Sequence, residues 1–297
     1  MNPLNKILNP FHMQLKRTKS LNIEKTNYEN TIKRLSHFYL DSYGKTVTDL
    51  NRGISGILFS KDRAMQLHAL ISSYFHYTKN YAPLIILFTC SNEQHKQSYE
   101  ILQNEFQSFP VSFITETDFG IQLKEIVNNV KADRIFFMTD DAVFLDHYDL
   151  LDCLNFHPLK NIFSLRLGAD LDFCYSYNRK QAVPEFTVKD IAGQKFQTWI
   201  WKDLPDSPDW TYPLSVDATI FLRKEIEMIL HHISFKSPNS LESQMQLYTD
   251  LFIQRKGICY PKVKYVNVPC NIVQTDFPNI STGTWSVSEL IEQFLMG

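Results

Sequence analysis

The chain has no stretch near the roughly 18 consecutive apolar residues of a membrane-spanning helix, and its N-terminus lacks the apolar core of a signal peptide. A cytoplasmic protein is expected. Neither charge is in excess: 30 Lys+Arg stand against 32 Asp+Glu for a net charge of −2, so bulk electrostatics give no reason to expect nucleic acid as a partner. The five cysteines (Cys90, Cys153, Cys174, Cys259 and Cys270) are odd in number and form no CxxC pair, which fits a reducing compartment. The histidines show no HxH or HExxH spacing, so no structural zinc is expected. Internal repeats and low-complexity tracts are also missing.

What is present is a globular composition of 297 residues, 44% of them hydrophobic, ample for one large core or two small ones. The segment Met1 to Lys25 mixes Leu4, Ile7, Leu8, Phe11, Met13 and Leu15 with Lys6, His12, Lys16, Arg17 and Lys19. Such an arm suits peripheral contact with an anionic membrane. The competing reading is a frayed leader or a packed helix, because Pro3 and Pro10 interrupt any long amphipathic face.

Beyond a polar helical region at Tyr28 to Leu50, apolar runs and helical periodicities alternate. Strands are predicted at Ile54 to Phe59, Leu84 to Phe88, Val111 to Ile114 and Ile135 to Met138. Between them lie a helix with Met65, Leu67, Leu70 and Ile71 inward, a helix at Glu93 to Phe106, and one at Ile121 to Val130. This is the pattern of an α/β protein with a mainly parallel sheet covered by helices. Further strands are expected at Asn161 to Leu167, Ser215 to Phe221 and Lys262 to Val268. Helices are expected at Lys224 to His232, Ser240 to Arg255 and Val287 to Leu295, and Gly168 to Pro213 reads as a substrate-binding insertion.

The strongest local signal is the run Arg134-Ile135-Phe136-Phe137-Met138-Thr139-Asp140-Asp141, which delivers two adjacent carboxylates to the C-terminal end of a strand, where open α/β sheets place ligands. Crowded carboxylates repel unless a cation or proton intervenes, and hard oxygen donors suit Mg²⁺ or Mn²⁺ holding a phosphorylated substrate. The alternative is that the pair caps the following turn or helix.

Three motifs resemble those of GT-A fold glycosyltransferases, in particular the family-two-like enzymes that use nucleotide sugars: the loop Phe59-Ser60-Lys61-Asp62-Arg63-Ala64-Met65-Gln66-Leu67, the acidic Thr139-Asp140-Asp141, and Pro238-Asn239-Ser240-Leu241-Glu242 at a helix start. The resemblance covers roughly Ser55 to Gln274. It implies a Rossmann-type mixed sheet in a domain of residues 53–297, behind an extension of residues 1–52. The nucleotide-binding half would take about 53–145 and the acceptor half about 146–297. The implied activity is transfer of a sugar from a nucleoside-diphosphate donor to a hydroxyl of a carbohydrate or glycolipid acceptor, inverting and dependent on Mn²⁺ or Mg²⁺.

Residue by residue, the resemblance makes Asp141 the metal ligand, while Ser60, Asp62, Arg63, Thr89 and Asp140 hold the donor nucleotide. Glu242 becomes the base that takes the acceptor proton, with Asp217 as second candidate, and Arg166, Asp170 and Trp210 contact sugars. Each role has a competitor. Asp62 is a good helix cap, Glu242 favours a helix dipole, and the Trp-rich stretch with Trp199 and Trp201 suits core packing. Thr139 stands where the acidic motif has its first acid, and no His follows His232 to serve as a late metal ligand, which leaves Asn271, Gln274 or water. Rival readings are a nucleotidyltransferase, disfavoured by the lack of a Gly-rich, basic triphosphate loop, and a glycan-binding or scaffold protein that lost catalysis.

Overall fold

A computed structural model of the chain describes residues 30, 33–36, 38, 42–44, 50, 52–203, 207–271, 273, 283 and 285–296. Two units are distinguished, Met1–Thr48 and Asp49–Gly297. In the first, the described positions are helical, in keeping with the helical region expected there. The arm at Met1 to Lys25 and Gln274 lie outside the described residues.

The second unit opens with β1 (Ile54–Lys61), α1 (Ala64–Tyr77), β2 (Thr78–Lys79), β3 (Leu84–Thr89), α2 (Glu93–Glu105), β4 (Val111–Thr115), α3 (Phe119–Asn129) and β5 (Arg134–Thr139). β1 is buried from Ile54 through Ser60 because helices cover both faces of the sheet, and such strands read as unbroken apolar runs. α1 sends Leu67, Leu70, Ile71 and Tyr74 inward, at helical spacing. Asn92 and Asp118 cap α2 and α3 by accepting from the backbone N–H of His95 and Ile121.

The chain continues through β6 (Ala142–Phe144), β7 (Tyr148–Asp149), β8 (Asn161–Gly168), β9 (Phe173–Cys174), β10 (Arg179–Lys180), β11 (Thr187–Ile191), β12 (Gln194–Ile200), β13 (Thr219–Leu222), α4 (Arg223–His232), α5 (Pro238–Met245), β14 (Lys256–Tyr260), β15 (Tyr265–Asn267) and α6 (Val287–Met296). Nine strands make one sheet in the order β11-β12-β14-β8-β13-β5-β1-β3-β4. The quartet β4-β3-β1-β5 is parallel. β13 is antiparallel to both its neighbours, β5 and β8, and the β11–β12 hairpin extends the far edge. The fold is the α/β arrangement expected, a mixed sheet with a parallel half flanked by helices.

Three stretches differ from expectation. The helix read over Ser240 to Arg255 is α5 followed by a 3₁₀ turn at Gln246–Leu251. Lys256–Tyr260, not expected as a strand, is inserted into the sheet between β8 and β12. Much of the stretch read as an insertion, Gly168 to Pro213, is likewise sheet: Thr187 to Ile200 pairs with the main body.

At this edge Gly257 faces Trp199 across the β12–β14 pair, and a Cβ on Gly257 would lie 2.2 Å from the indole Cε2 and Cζ2. That indole is wedged against Trp201, Trp210 and Phe186, with ring centroids 4.9, 5.0 and 6.1 Å away. Gly257→Ala is therefore expected to destabilise the protein by about 1–3 kcal/mol through overpacking, read by urea unfolding. An unchanged midpoint would show that the indole moves.

Candidate functional site

In register, Lys61 pairs with Thr89 and Phe59 with Thr139, so the loops after β1, β3 and β5 leave the sheet at one edge. β13 runs the opposite way, and its beginning therefore meets the end of β5: Asp217 lies two residues before β13, and the Thr139 hydroxyl donates to its Oδ1 at 3.0 Å. α5 then brings Glu242 to the same place. Its carboxylate Oε1 accepts from the backbone N–H of Val216 at 2.9 Å.

The first cluster is built around Asp140, which is 4% exposed. Its Oδ2 accepts from Ser60 Oγ at 2.8 Å and Lys61 N at 3.1 Å, and its Oδ1 from Arg63 Nη1 at 2.9 Å. Burial pushes its carboxyl up and the Arg63 charge pulls it back, with a net rise. Both oxygens of Asp140 are thus engaged by protein, and the residue anchors the Ser60–Arg63 loop instead of offering itself to a ribose. Asp141 is half-buried. Its Oδ2 accepts from Arg63 Nη1 at 3.2 Å, while Oδ1 has no partner among the described residues.

Asp62 does not cap α1. Its backbone is left-handed (φ 56°), its Oδ1 accepts from Ser91 N at 2.7 Å, and the Asp62 N–H donates to the Thr89 carbonyl at 3.3 Å. The carboxylate fastens the loop after β3 to the loop after β1. Thr89 is half-buried at that junction.

The second cluster joins Asp217, Glu242, Arg166 and Asp209. Burial is the main cause that raises Glu242, followed by the neighbouring Asp217 charge. Against them, the Val216 N–H, Arg166 and Ser215 leave it at about 7. Asp217 is also raised, by burial and by Asp141, against Arg166, Asn267 and Thr139. Arg166 Nη2 donates to Asp209 Oδ1, and Asp209 Oδ2 accepts from Gln181 Nε2 at 2.8 Å. Burial disfavours the Arg166 charge, but Asp209, Asp217 and Glu242 outweigh it and raise its pKa. Tyr212 is held above its usual range by burial and by Glu242.

The cap of α5 is supplied by others. The Ser237 side chain accepts from Ser240 N, and the Ser240 hydroxyl accepts from Ser237 N at 2.9 Å. The serine cap agrees with the competing reading of this segment, but Glu242 lies beyond the first turn of α5, where the helix dipole has fallen off.

Two expected sugar contacts sit elsewhere. Trp210 is fully buried, with its indole N–H donating to the Leu171 carbonyl at 3.1 Å, so no ring face is open to a sugar. The indole packs against Trp199 and Phe186 in the core. Asp170 is exposed and accepts from Val263 N at 2.9 Å, which ties two loops together. Conversely, Asn267 and Tyr265 were not singled out, yet Asn267 Nδ2 donates to Asp217 Oδ1 at 3.1 Å and Tyr265 OH to the same oxygen at 3.4 Å. Both come from β15, whose only signal in sequence is a short β-prone run.

Among the described residues no three His, Cys, Asp or Glu side chains cluster closely enough to hold a metal on their own. The donors present fit a cation carried largely by substrate: Mg²⁺ characteristically uses one or two carboxylates plus phosphate oxygens, and Asp141 offers one free, half-exposed oxygen. No helix of the described residues is long and apolar enough to cross a membrane.

No family model matches the chain. A bifunctional glycosyltransferase, pgtA of Dictyostelium discoideum, is 32% identical over 197 residues, which is 61% of this chain and 25% of pgtA. An adenosine 5'-phosphosulfate reductase of Staphylococcus epidermidis is 27% identical over 120 residues, 39% of this chain and 42% of the reductase. The chain thus spans a quarter to less than half the length of these relatives. Among solved structures, S. aureus TarS 1-349 in complex with UDP-GlcNAc is 12% identical with a TM-score of 0.46, covering 82% of this chain and 66% of that one.

Proposed function

We propose that this GT-A-like chain transfers a sugar from a nucleoside-diphosphate donor to a hydroxyl of a carbohydrate acceptor, with inversion at the anomeric carbon. The observation that carries the reading is Glu242: a carboxylate poised at about 7, beside Asp217, with Thr139 linking Asp217 to the acidic loop of Asp140 and Asp141. The similarity to pgtA supports a glycosyltransferase over the other enzyme classes.

In this mechanism the acceptor hydroxyl attacks the anomeric carbon as the bond from that carbon to the diphosphate oxygen breaks. The proton passes to the Glu242 carboxylate, whose Oε1 is already fixed by the Val216 N–H. A carboxylate near 7 is well matched to that task at neutral pH. Asp217 receives hydrogen bonds from Thr139, Asn267 and Tyr265 on one oxygen, an arrangement suited to holding a sugar hydroxyl with the other. Ser60, Asp62 and Arg63 shape the nucleotide loop. A divalent cation held by Asp141 would supply positive charge to the departing diphosphate.

The test is a thermal-shift screen of UDP-, GDP-, CMP- and dTDP-sugars, each with Mn²⁺, Mg²⁺ or EDTA. A donor present at about a hundred times its Kd stabilises the folded state by about 2.7 kcal/mol, so one base class is expected to raise Tm by several degrees. Release of pyrophosphate from a nucleoside triphosphate would instead favour a nucleotidyltransferase. No shift with any donor, in a folded sample, would sink the transferase reading in favour of a glycan-binding protein.

A further inference from the structure

Arg63 spends nearly all its hydrogen-bonding capacity inside the protein. Nη1 donates to Asp140 Oδ1 and Asp141 Oδ2, Nε donates to Asn271 Oδ1 at 2.9 Å, and Nη2 donates to the Asn271 carbonyl. Its side chain is 9% exposed. A planar fork held at four points is a fixed charge, unlike a lysine on a flexible stem.

Asn271 is committed to the same purpose. Its amide oxygen accepts from Arg63 Nε and, at 3.4 Å, from Gln66 Nε2, while its buried Nδ2 finds no partner among the described residues. The residue considered from sequence as a stand-in for a late metal-binding histidine therefore has its oxygen engaged and turns only N–H groups onward. A divalent ion approaching Asp141 without other ligands would meet one free carboxylate oxygen and a like charge locked against the other.

We propose that Arg63 keeps Asp141 closed to free divalent cations, so that Mg²⁺ or Mn²⁺ is admitted only together with a nucleoside diphosphate. The phosphates supply the oxygen ligands the protein lacks, and their negative charge offsets the guanidinium. The nucleotide half of this inference rests on the transferase reading; the exclusion of the free ion does not. Arg63 is a positioning residue here, acting on the cation through Asp141.

The experiment is a titration of the full chain with Mn²⁺ alone, followed by electron paramagnetic resonance of the unbound ion, then repeated with UDP, GDP, CDP or dTDP. The wild type is expected to bind Mn²⁺ weakly by itself, and Arg63→Gln is expected to tighten that binding roughly tenfold or more, a gain no merely structural loss would produce. Removing Arg63 leaves Asp140 buried without its partner, and the variant could fail to fold. Asn271→Leu is the second variant: it keeps all three charges but frees the guanidinium, and a smaller tightening is expected. Micromolar Mn²⁺ binding by the free wild type, or unchanged affinity in a folded variant, would overturn the proposal. Should no nucleotide bind under any condition, the transferase reading fails while the metal-alone comparison still decides the role of Arg63.

Discussion

Replacing Glu242 by Gln is expected to lower turnover by about 10²–10⁴-fold, the usual contribution of a positioned general base, with donor affinity little changed. The same substitution is expected to stabilise the protein at alkaline pH. The carboxyl rises from an ordinary value of 4.5 to about 7 because it is buried beside Asp217. A folded-state pKa above the unfolded value means that the folded form holds the proton more tightly. The resulting stability is fully present below about 4.5 and is lost as pH rises through about 7. The difference of about 2.5 units corresponds to at most about 3 kcal/mol, shared with Asp217 because the two titrate as a pair. Glu242→Gln should therefore match the wild type in acid and exceed it above neutrality in urea unfolding. Activity of the wild type should climb as pH rises through about 7. A near-normal rate in the variant would transfer the base role to Asp217, and identical unfolding curves at both pH extremes would show Glu242 to be well solvated.

Arg166→Leu is expected to cost about 3–5 kcal/mol at neutral pH, because it strips the counter-charge from a buried group of carboxylates. Asp209 would keep the Gln181 amide and the neighbouring Cys174 thiol but lose its counter-charge, and both Asp217 and Glu242 would lose the cation that restrains their upward shift. The penalty has a sign in pH. At pH 5 protonation of Glu242, whose carboxyl is raised to about 7, relieves the repulsion, so the loss should be smaller than at pH 8, and the ascending limb of activity should move to higher pH. Urea unfolding at the two pH values and a pH-rate profile read both effects. A loss of equal size at both would reduce Arg166 to a packing residue.

The parallel half of the sheet was readable because its strands are apolar on both faces and its helices keep a strict period. Ile54 to Phe59, Leu84 to Phe88 and Ile135 to Met138 each sit within a strand of the sheet. The second half hid itself for local reasons. Leu241, Met245, Tyr248 and Phe252 recur at helical spacing and are all buried, yet they ride on a short helix, a 3₁₀ turn and a loop. Lys256–Tyr260 lies directly behind them and opens on a lysine and a glycine, which break the apolar run that marks the other strands. In the site, Glu242 was singled out by the resemblance with Asp217 as its alternative, and the structure brings the two carboxylates together. Asp140 was named for the nucleotide, but three donors enclose it. That network comes from Ser60, Lys61 and Arg63, about eighty residues earlier in the chain, a closeness created only by the β1–β5 pairing. Trp199, on β12, and Trp201, in the 3₁₀ turn just past its end, pack ring against ring inside the core, so the expected common side is the core although only one of them is on the strand.

The reversed direction of β13 has one more effect. Everything assigned to the nucleotide comes from residues up to Asp141, and everything assigned to the acceptor proton comes after Pro213; the two groups meet across the β5–β13 seam through the Thr139 hydroxyl. Under the proposed function, recognition of the donor and selection of the acceptor are thus written in separate stretches of the chain. In such an enzyme natural variation can rework the later stretch, changing the acceptor, while the earlier one goes on reading the same nucleotide.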